Sequence, residues 1–264
     1  MAATAPLPHN LTVVQSQAAW QQVDFISDVH LDAHEPHTFE AWQHYMRSTQ
    51  ADALFILGDL FEVWVGDDTT DAFALTCVQV LTQTAQRMPV YFVCGNRDFL
   101  VGQQLLQTTG MQGLSDPAVL VAGEQRMLLT HGDVLCVDDH DYLQFRQQVR
   151  QAEWQNHFLA KPLQERQQIA RGLRQQSEAR KHTTTTYADV DAQAACDWLR
   201  QTHCQTLIHG HTHRPATHDL GDGMQRWCLS DWHAQLPSPR LEVVRWRRTE
   251  ENSPTRGLSR SSLV

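Results

Sequence analysis

Five short groups in this sequence carry the side chains that bind metal ions and move protons. They are Asp28 with His30, Gly58-Asp59, Gly95-Asn96-Arg97-Asp98, His131-Gly132-Asp133, and His209-Gly210-His211-Thr212-His213. Asp28 and His30 stand two apart, as do His209 and His211, so in extended or early-loop geometry each pair can project the same way. Singly these are weak signals, because D-x-H arises by chance and Gly-Asp is a common turn. Their shared context is stronger: each follows a short apolar run, at residues 23–26, 53–57, 90–94, 127–130 and 206–208. The carboxyl ends of such strands are where open α/β sheets form ligand crevices. Four histidines, two aspartates and an asparagine exceed the four ligands of a structural zinc site, which favours two ions. A shared carboxylate would bridge ions roughly 3.5–4 Å apart. Imidazole and oxygen donors without thiolate suit Mn²⁺, Fe²⁺ or Zn²⁺. Paired ions activate water near neutral pH and offset charge on phosphoryl oxygens, so cleavage of a phosphorus–oxygen bond is the expected chemistry.

The elements that must position these groups follow from periodicity. Short continuous apolar runs fit strands buried on both faces. Between the first three lie helical stripes, Phe39, Trp42, Tyr45 and Met46, then Phe73, Val78 and Leu81. That alternation predicts parallel strands with crossover helices. Residues 119–122 and 127–130 flank Gly123-Glu124-Gln125, a hairpin signal that makes the sheet system mixed. A helix over 191–202 leads into the strand before His209, and residues 226–230 and 241–246 read as closing strands. From 139 to about 186 the pattern turns Gln- and Arg-rich and helical, with Tyr142, Phe145 and Val149 on one stripe. Residues 141–181 hold eight basic and four acidic side chains, +4 in an acidic protein. This insertion is either an ordinary solvated helical face or a basic lid over an anionic substrate. Residues 1–20 read as an N-terminal extension, 21–248 as one domain carrying the insertion, and 249–264 as a disordered Ser- and Arg-rich tail.

Composition narrows the function. With 21 basic and 30 acidic residues the formal charge is −9, against general nucleic-acid binding. Six cysteines without a C-x-x-C pair exclude a cysteine-zinc site and read as reduced thiols of a cytosolic protein. The first 20 residues lack a signal-peptide pattern, and no run approaches the ~18 apolar residues of a membrane span. The expectation is a soluble protein able to touch a membrane surface, with no obligate protein partner.

Taken together, D-x-H, GD, GN, H and GHTH resemble the calcineurin-type metallophosphoesterases over residues 23–235. The resemblance implies two packed mixed β-sheets flanked by helices. It implies one ion held by Asp28, His30, Asp59 and His211, and a second by Asp59, Asn96, His131 and His209, with Asp59 as the bridge. Finer motifs are Phe25 to Leu31, Gly58-Asp59-Leu60-Phe61-Glu62 with Trp64 and Gly66-Asp67-Asp68, Gly95 to Phe99, and His131-Gly132-Asp133 followed by Asp138-Asp139. With the insertion, these are similar to the branch of the family that hydrolyses a nucleotide-activated diacylglucosamine in Gram-negative lipid A synthesis. That branch implies two Mn²⁺ ions, attack at the α-phosphorus, and peripheral contact with the cytoplasmic face of the inner membrane. It implies catalytic roles for Asp59, Asn96, Arg97 and His131. Substrate contacts are implied at Asn96, Arg97, Asp139, Ser177, Lys181 and His209, although the residues after Ser177 depart from the branch's pattern.

Arg97 fits that branch on chemical grounds. Relatives with His after the Asn can protonate an alkoxide, whereas arginine stays charged and cannot. A departing phosphate has a second pKa of about 6 and needs no acid, while a guanidinium holds its oxygens bidentately. The alternative for Arg97 is a structural pair with Asp98. Asp139 is either a substrate contact or a helix N-cap. His213 reads as orienting a ligand from outside the coordination shell. Trp154, Phe158 and Leu163 either pack the insertion or line an acyl-chain groove. Rival functions are a soluble nucleotide or cyclic-nucleotide phosphoesterase and a non-catalytic scaffold; the intact ligand set speaks against the scaffold.

Overall fold

The apolar runs do become buried strands, and their side chains alternate between two cores. The computed structural model describes residues 7–8, 10–183, 189–248 and 257–263, with the side chains of 174–183 outside the description. In chain order the elements begin with β1 (Thr12–Gln15), β2 (Gln22–Ile26), α1 (Pro36–Ser48), β3 (Ala53–Leu57), α2 (Ala72–Ala85) and β4 (Val90–Val93). They continue with α3 (Gln103–Thr109), β5 (Gln112–Gly113), β6 (Ala118–Ala122), β7 (Gln125–Thr130) and a 3₁₀ turn (Asp133–Leu135). The insertion comprises α4 (His140–Val149), α5 (Ala152–Leu159) and α6 (Leu163–Thr183). The chain closes with α7 (Ala192–Thr202), β8 (Thr206–His209), β9 (Ala216–Gly221), β10 (Met224–Cys228), β11 (Glu242–Arg247) and β12 (Leu258–Ser262).

Two six-stranded mixed sheets result, ordered β1-β6-β7-β8-β10-β9 and β12-β11-β2-β3-β4-β5. Strands β2, β3 and β4 are parallel, as their crossover helices require. The β6–β7 hairpin turns at Gly123, whose φ of 61° lies in the left-handed region. Phe25, Phe55 and Leu57 face Leu120, Met127, Leu129 and Ile208 across the sheets. Ile26, Leu54 and Ile56, one residue out of phase, pack instead on Trp42, Met46 and Leu81 of α1 and α2. On the far side Val119, Leu128 and Leu207 meet Ala195, Trp198 and Leu199 of α7. The layers therefore run helix, sheet, sheet, helix. Phe55 stacks on Tyr91 at 4.5 Å between ring centroids, at the centre of the sheet interface.

Three expectations change. The N-terminal segment is not an appendage, because β1 pairs in parallel with β6 and Trp20 is buried. Residues 257–263 are not disordered: β12 pairs with β11 and buries Leu258, giving its backbone groups partners despite a polar composition. Residues 249–256 and 184–188 lie outside the described residues. In the insertion, Val149 is buried but Phe145 is exposed; the face of α4 turned to the body carries Tyr142, Arg146 and Arg150. Among the described residues no helix is long and apolar enough to cross a membrane.

Candidate metal centre

All five groups leave the carboxyl ends of β2, β3, β4, β7 and β8 and converge on one cleft. Their backbones turn there by an uncommon route. Asp28, His30, Asp59, His211 and His213 have φ of 52°, 51°, 53°, 68° and 53°, a left-handed conformation that non-glycine residues seldom adopt. Each costs on the order of 1–3 kcal/mol and persists only where neighbours over-determine it. Here they do. Asp28 N–H donates to the Gly58 carbonyl at 3.1 Å and His30 N–H to that of Asp59 at 3.0 Å, while His211 N–H donates to the Asp28 carboxylate at 3.0 Å. A side chain at Gly58, where φ is 87°, would sit 2.6 Å from Gly95 Cα and from the His131 ring, so only glycine lets the loops close.

Two constellations form. In one, Nε2 of His30 lies 3.2 Å from Nε2 of His213, which is 3.4 Å from Asp28 Oδ1. In the other, Asn96 Oδ1 is 2.9 Å from both His131 Nε2 and His211 Nδ1, and Asp59 Oδ1 is 3.6 Å from His131 Nε2. Asp28, Asp59 and His131 are close enough to share an ion, so the carboxylates join the two. His131 Nδ1–H donates to the Leu57 carbonyl at 2.9 Å, which leaves Nε2 as the atom that faces two oxygens, through a proton until an ion takes its place. Oxygens gathered in a buried cleft need positive charge among them, so these donors fit metal ions.

The charges agree. Burial favours a neutral His131, but Asp59 and Asp28 outweigh it and push its pKa up to about 9, a demand for positive charge. Burial, then the charge of Asp59, raises the fully buried Asp98 to about 6. Asp98 is no ligand: it accepts from Gly95 and Leu60 N–H at 2.7 Å each and laces the two loops together. Burial and the neighbouring His131 lower His211 to about 4, leaving a neutral donor ring.

One expected ligand leaves a nitrogen unpartnered. His209 is buried, its Nδ1–H donates to the Gly210 carbonyl at 2.8 Å, and its buried Nε2 has no hydrogen-bond partner, which leaves that nitrogen free for an ion. His209 is the last residue of β8, still paired with Thr130 and Cys228, so the strand's pleat sets its direction. His211 and His213 follow in the loop, where positive φ values swing both rings into the cleft. His213, expected to orient a ligand, stands beside His30 and Asp28.

Other expectations fare differently. Asp59, Asn96, Arg97 and His131 come together. Arg97 does not pair with Asp98; it lies 3.3 Å from Glu62, and its N–H donates to Asp59 at 2.8 Å. Asp139 caps α4, accepting from Tyr142 N–H at 3.1 Å, and is exposed. Ser177 and Lys181 fall on α6, and their side chains lie outside the described residues. Trp154 stacks on the buried Phe158 at 5.0 Å and meets Phe99 at 6.2 Å, which is packing of the insertion on the body.

Residues missed in the sequence form the roof's attachments. Asp133 accepts from Tyr142 O–H and from Arg146 Nε at 2.8 Å, and Arg146 also reaches Asp116 at 3.1 Å. Arg150 donates to the Gly95 carbonyl at 2.7 Å, and the Tyr142 ring lies over His211. Their spacing of four residues along one helix was the available signal.

With the geometry in place, the comparisons decide the lineage. The sequence profile of the calcineurin-like phosphoesterases matches residues 22–215. The chain belongs to the calcineurin-like phosphoesterase family. As such a phosphoesterase it is a hydrolase whose family binds divalent metal. A protein of Chromobacterium violaceum named UDP-2,3-diacylglucosamine hydrolase is 44% identical over 220 residues, 80% of this chain and 90% of its own. Proteins of the same name from Shewanella sp. (strain W3-18-1) and Aromatoleum aromaticum are 42% and 41% identical, covering 80% and 84% of this phosphoesterase and 89% and 91% of their own lengths.

Proposed function

We propose that this phosphoesterase hydrolyses the diphosphate of UDP-2,3-diacylglucosamine at the α-phosphorus, releasing UMP and 2,3-diacylglucosamine 1-phosphate for lipid A synthesis. The observation that carries the substrate is the 44% identity to a protein of that name over nine-tenths of its length. Asp28, His30, Asp59 and His211 would hold one Mn²⁺ ion, and Asp59, Asn96, His131 and His209 the other, with His213 beside the first. Bound there, the ions supply an activated water and offset the charge that develops on the phosphoryl oxygens.

The chain's own residues do the rest. Asp98 and the Leu57 carbonyl keep Asp59, Gly95 and His131 in place before substrate arrives, so little reorganisation is left for the reaction. Arg97, with 17% of its side chain exposed, stands at the cleft to grip phosphate oxygens bidentately. It donates no proton, and a phosphate leaving group needs none. Tyr142 and Arg150 roof the second constellation and exclude water from that side. A substrate with two acyl chains resides in a bilayer, which supports peripheral contact of the enzyme with the cytoplasmic face of the inner membrane. Phe145, Leu159 and Leu173 of the insertion, 37–40% exposed, offer apolar contact there.

The test is the purified chain with Mn²⁺ and UDP-2,3-diacylglucosamine in detergent micelles, in water enriched in ¹⁸O. Release of UMP carrying the label supports the reading. Label in the sugar phosphate would move the attack to the β-phosphorus, and hydrolysis of soluble nucleotides without UMP release from the lipid would assign another substrate.

A further inference from the structure

Glu62 belongs to neither proposed ligand set, yet its carboxylate stands between the two kinds of group the reaction needs. It lies three residues beyond Asp59, with 12% of its side chain exposed. Oε2 is 2.9 Å from Nδ1 of His30, on the metal side. Oε1 is 3.3 Å from Nη1 of Arg97, on the phosphate side. The backbone gives this carboxylate little freedom, since Glu62 N–H donates to the Leu31 carbonyl at 3.2 Å, next to His30. Two residues later, Trp64 N–H donates to the carbonyl of Arg97 itself at 3.1 Å.

We propose that Glu62 is a positioning residue that joins the metal ligand His30 and the guanidinium of Arg97 into one unit, coupling ion loading to capture of the diphosphate. The inference rests on the two-ion reading above. This carboxylate, at 2.9 Å but out of line for a hydrogen bond, draws the proton to Nδ1 by its charge, presents Nε2 to the ion as a lone pair, and makes the ring a better donor. The opposite oxygen restrains a side chain that otherwise carries about 2 kcal/mol of rotamer entropy. Both partners are donors, so only a group that accepts on both sides satisfies them together. Glutamine, with one acceptor oxygen and one NH₂, must turn its NH₂ toward one of the two. His131 is held differently, by the neutral carbonyl of Leu57, so this coupling is particular to the His30 side.

The experiment compares wild type, E62Q, E62D, R97A and E62Q/R97A as full-length proteins of matched circular dichroism. Mn²⁺ binding is followed by calorimetry without substrate, and kcat and KM with UDP-2,3-diacylglucosamine at saturating Mn²⁺. E62Q should weaken one of two Mn²⁺ ions by roughly 10- to 100-fold, the range for loss of a partner behind a ligand. It should also raise KM, an effect that disappears in the R97A background while the Mn²⁺ defect remains. R97A alone should bind Mn²⁺ as wild type does. E62D, which keeps two acceptors, should recover part of both losses; if E62Q fails to fold, E62D against wild type carries the same two readouts. Wild-type Mn²⁺ binding by E62Q, or a KM effect undiminished by R97A, overturns the proposal. A single Mn²⁺ bound by wild type at saturation would instead overturn the two-ion reading beneath it.

Discussion

The floor of the cleft and its roof are built by different means. The floor consists of loops at strand ends, with Asp28, His131 and the anchoring Asp98 and Asp133 fully buried, five left-handed residues, and main-chain N–H groups of Asp28, His30 and His211 tied across the loops. The roof, α4 to α6, reaches the body through a few long side chains. Arg146 and Arg150 grip the catalytic loops, and the buried Arg166 donates to the carbonyls of Val65 and Lys161 and pairs with Asp68. Gly66, at φ 135°, leaves the room that the Arg166 guanidinium occupies. Strained, over-determined backbone suits chemistry that tolerates little displacement, whereas side-chain tethers suit a surface that must admit a large amphipathic substrate.

The contrast can be broken most directly from below. Removing the shared carboxylate with D59N, or His131 with H131A, should cut kcat/KM by at least ~10³-fold, since a bound ion is worth several kcal/mol to such a reaction. UMP release measures it, and near-normal turnover would detach the floor from the chemistry. The three rings after β8 give a sharper test. H209A and H211A should each lose more than the ~10- to 100-fold typical of a partner behind a ligand, together with bound Mn²⁺, whereas H213A should stay within that range and keep its metal. Elemental analysis of the purified variants decides which rings belong to the floor.

Proton competition comes next. In the metal-free protein His131 titrates at about 9, above its ordinary 6.5, so an incoming ion displaces its proton. Mn²⁺ affinity should therefore climb about tenfold per pH unit and level off near pH 9. The sign for stability is opposite: a raised histidine stabilises the metal-free fold fully below its unfolded value and loses that contribution as pH rises through 9. Calorimetry in buffers of differing ionisation heat reads the released proton, and a pH-independent affinity would contradict the charge balance described. The smallest effect belongs to the roof. R166A leaves the carbonyls of Val65 and Lys161 without their donor, at a local cost of about 1–3 kcal/mol. It should raise KM for the lipid several-fold and speed proteolysis in α4–α6, leaving turnover of bis(p-nitrophenyl) phosphate unchanged. Equal losses on both substrates would show that the roof shapes the floor.

Much of the floor was legible in the sequence because strand burial and loop chemistry are local. Residues 53–57 read as a strand and form one, and Asp59, Asn96 and His131 stand beside each other as their motif order implies. Less was legible wherever partners came from far away. β1 and β12 are short and partly polar, and only pairing with β6 and β11 makes them strands. Asp24 sits inside a run read as apolar because Arg245 of β11, Tyr45 and Thr49 satisfy its carboxylate.

The sequence by itself determined which residue types meet at the strand ends, and hence metal-assisted phosphoester chemistry. Arginine after Asn96 likewise removed a proton donor without any need of coordinates. Only the tertiary structure decided how each histidine of His209-Gly210-His211-Thr212-His213 is held. All three alternate identically along the chain, and what separates them is where the β8 ladder ends and positive φ begins. Nor does the chain alone show that Glu62 faces two partners, because His30 and Arg97 lie 32 residues before and 35 after it and meet only across parallel strands.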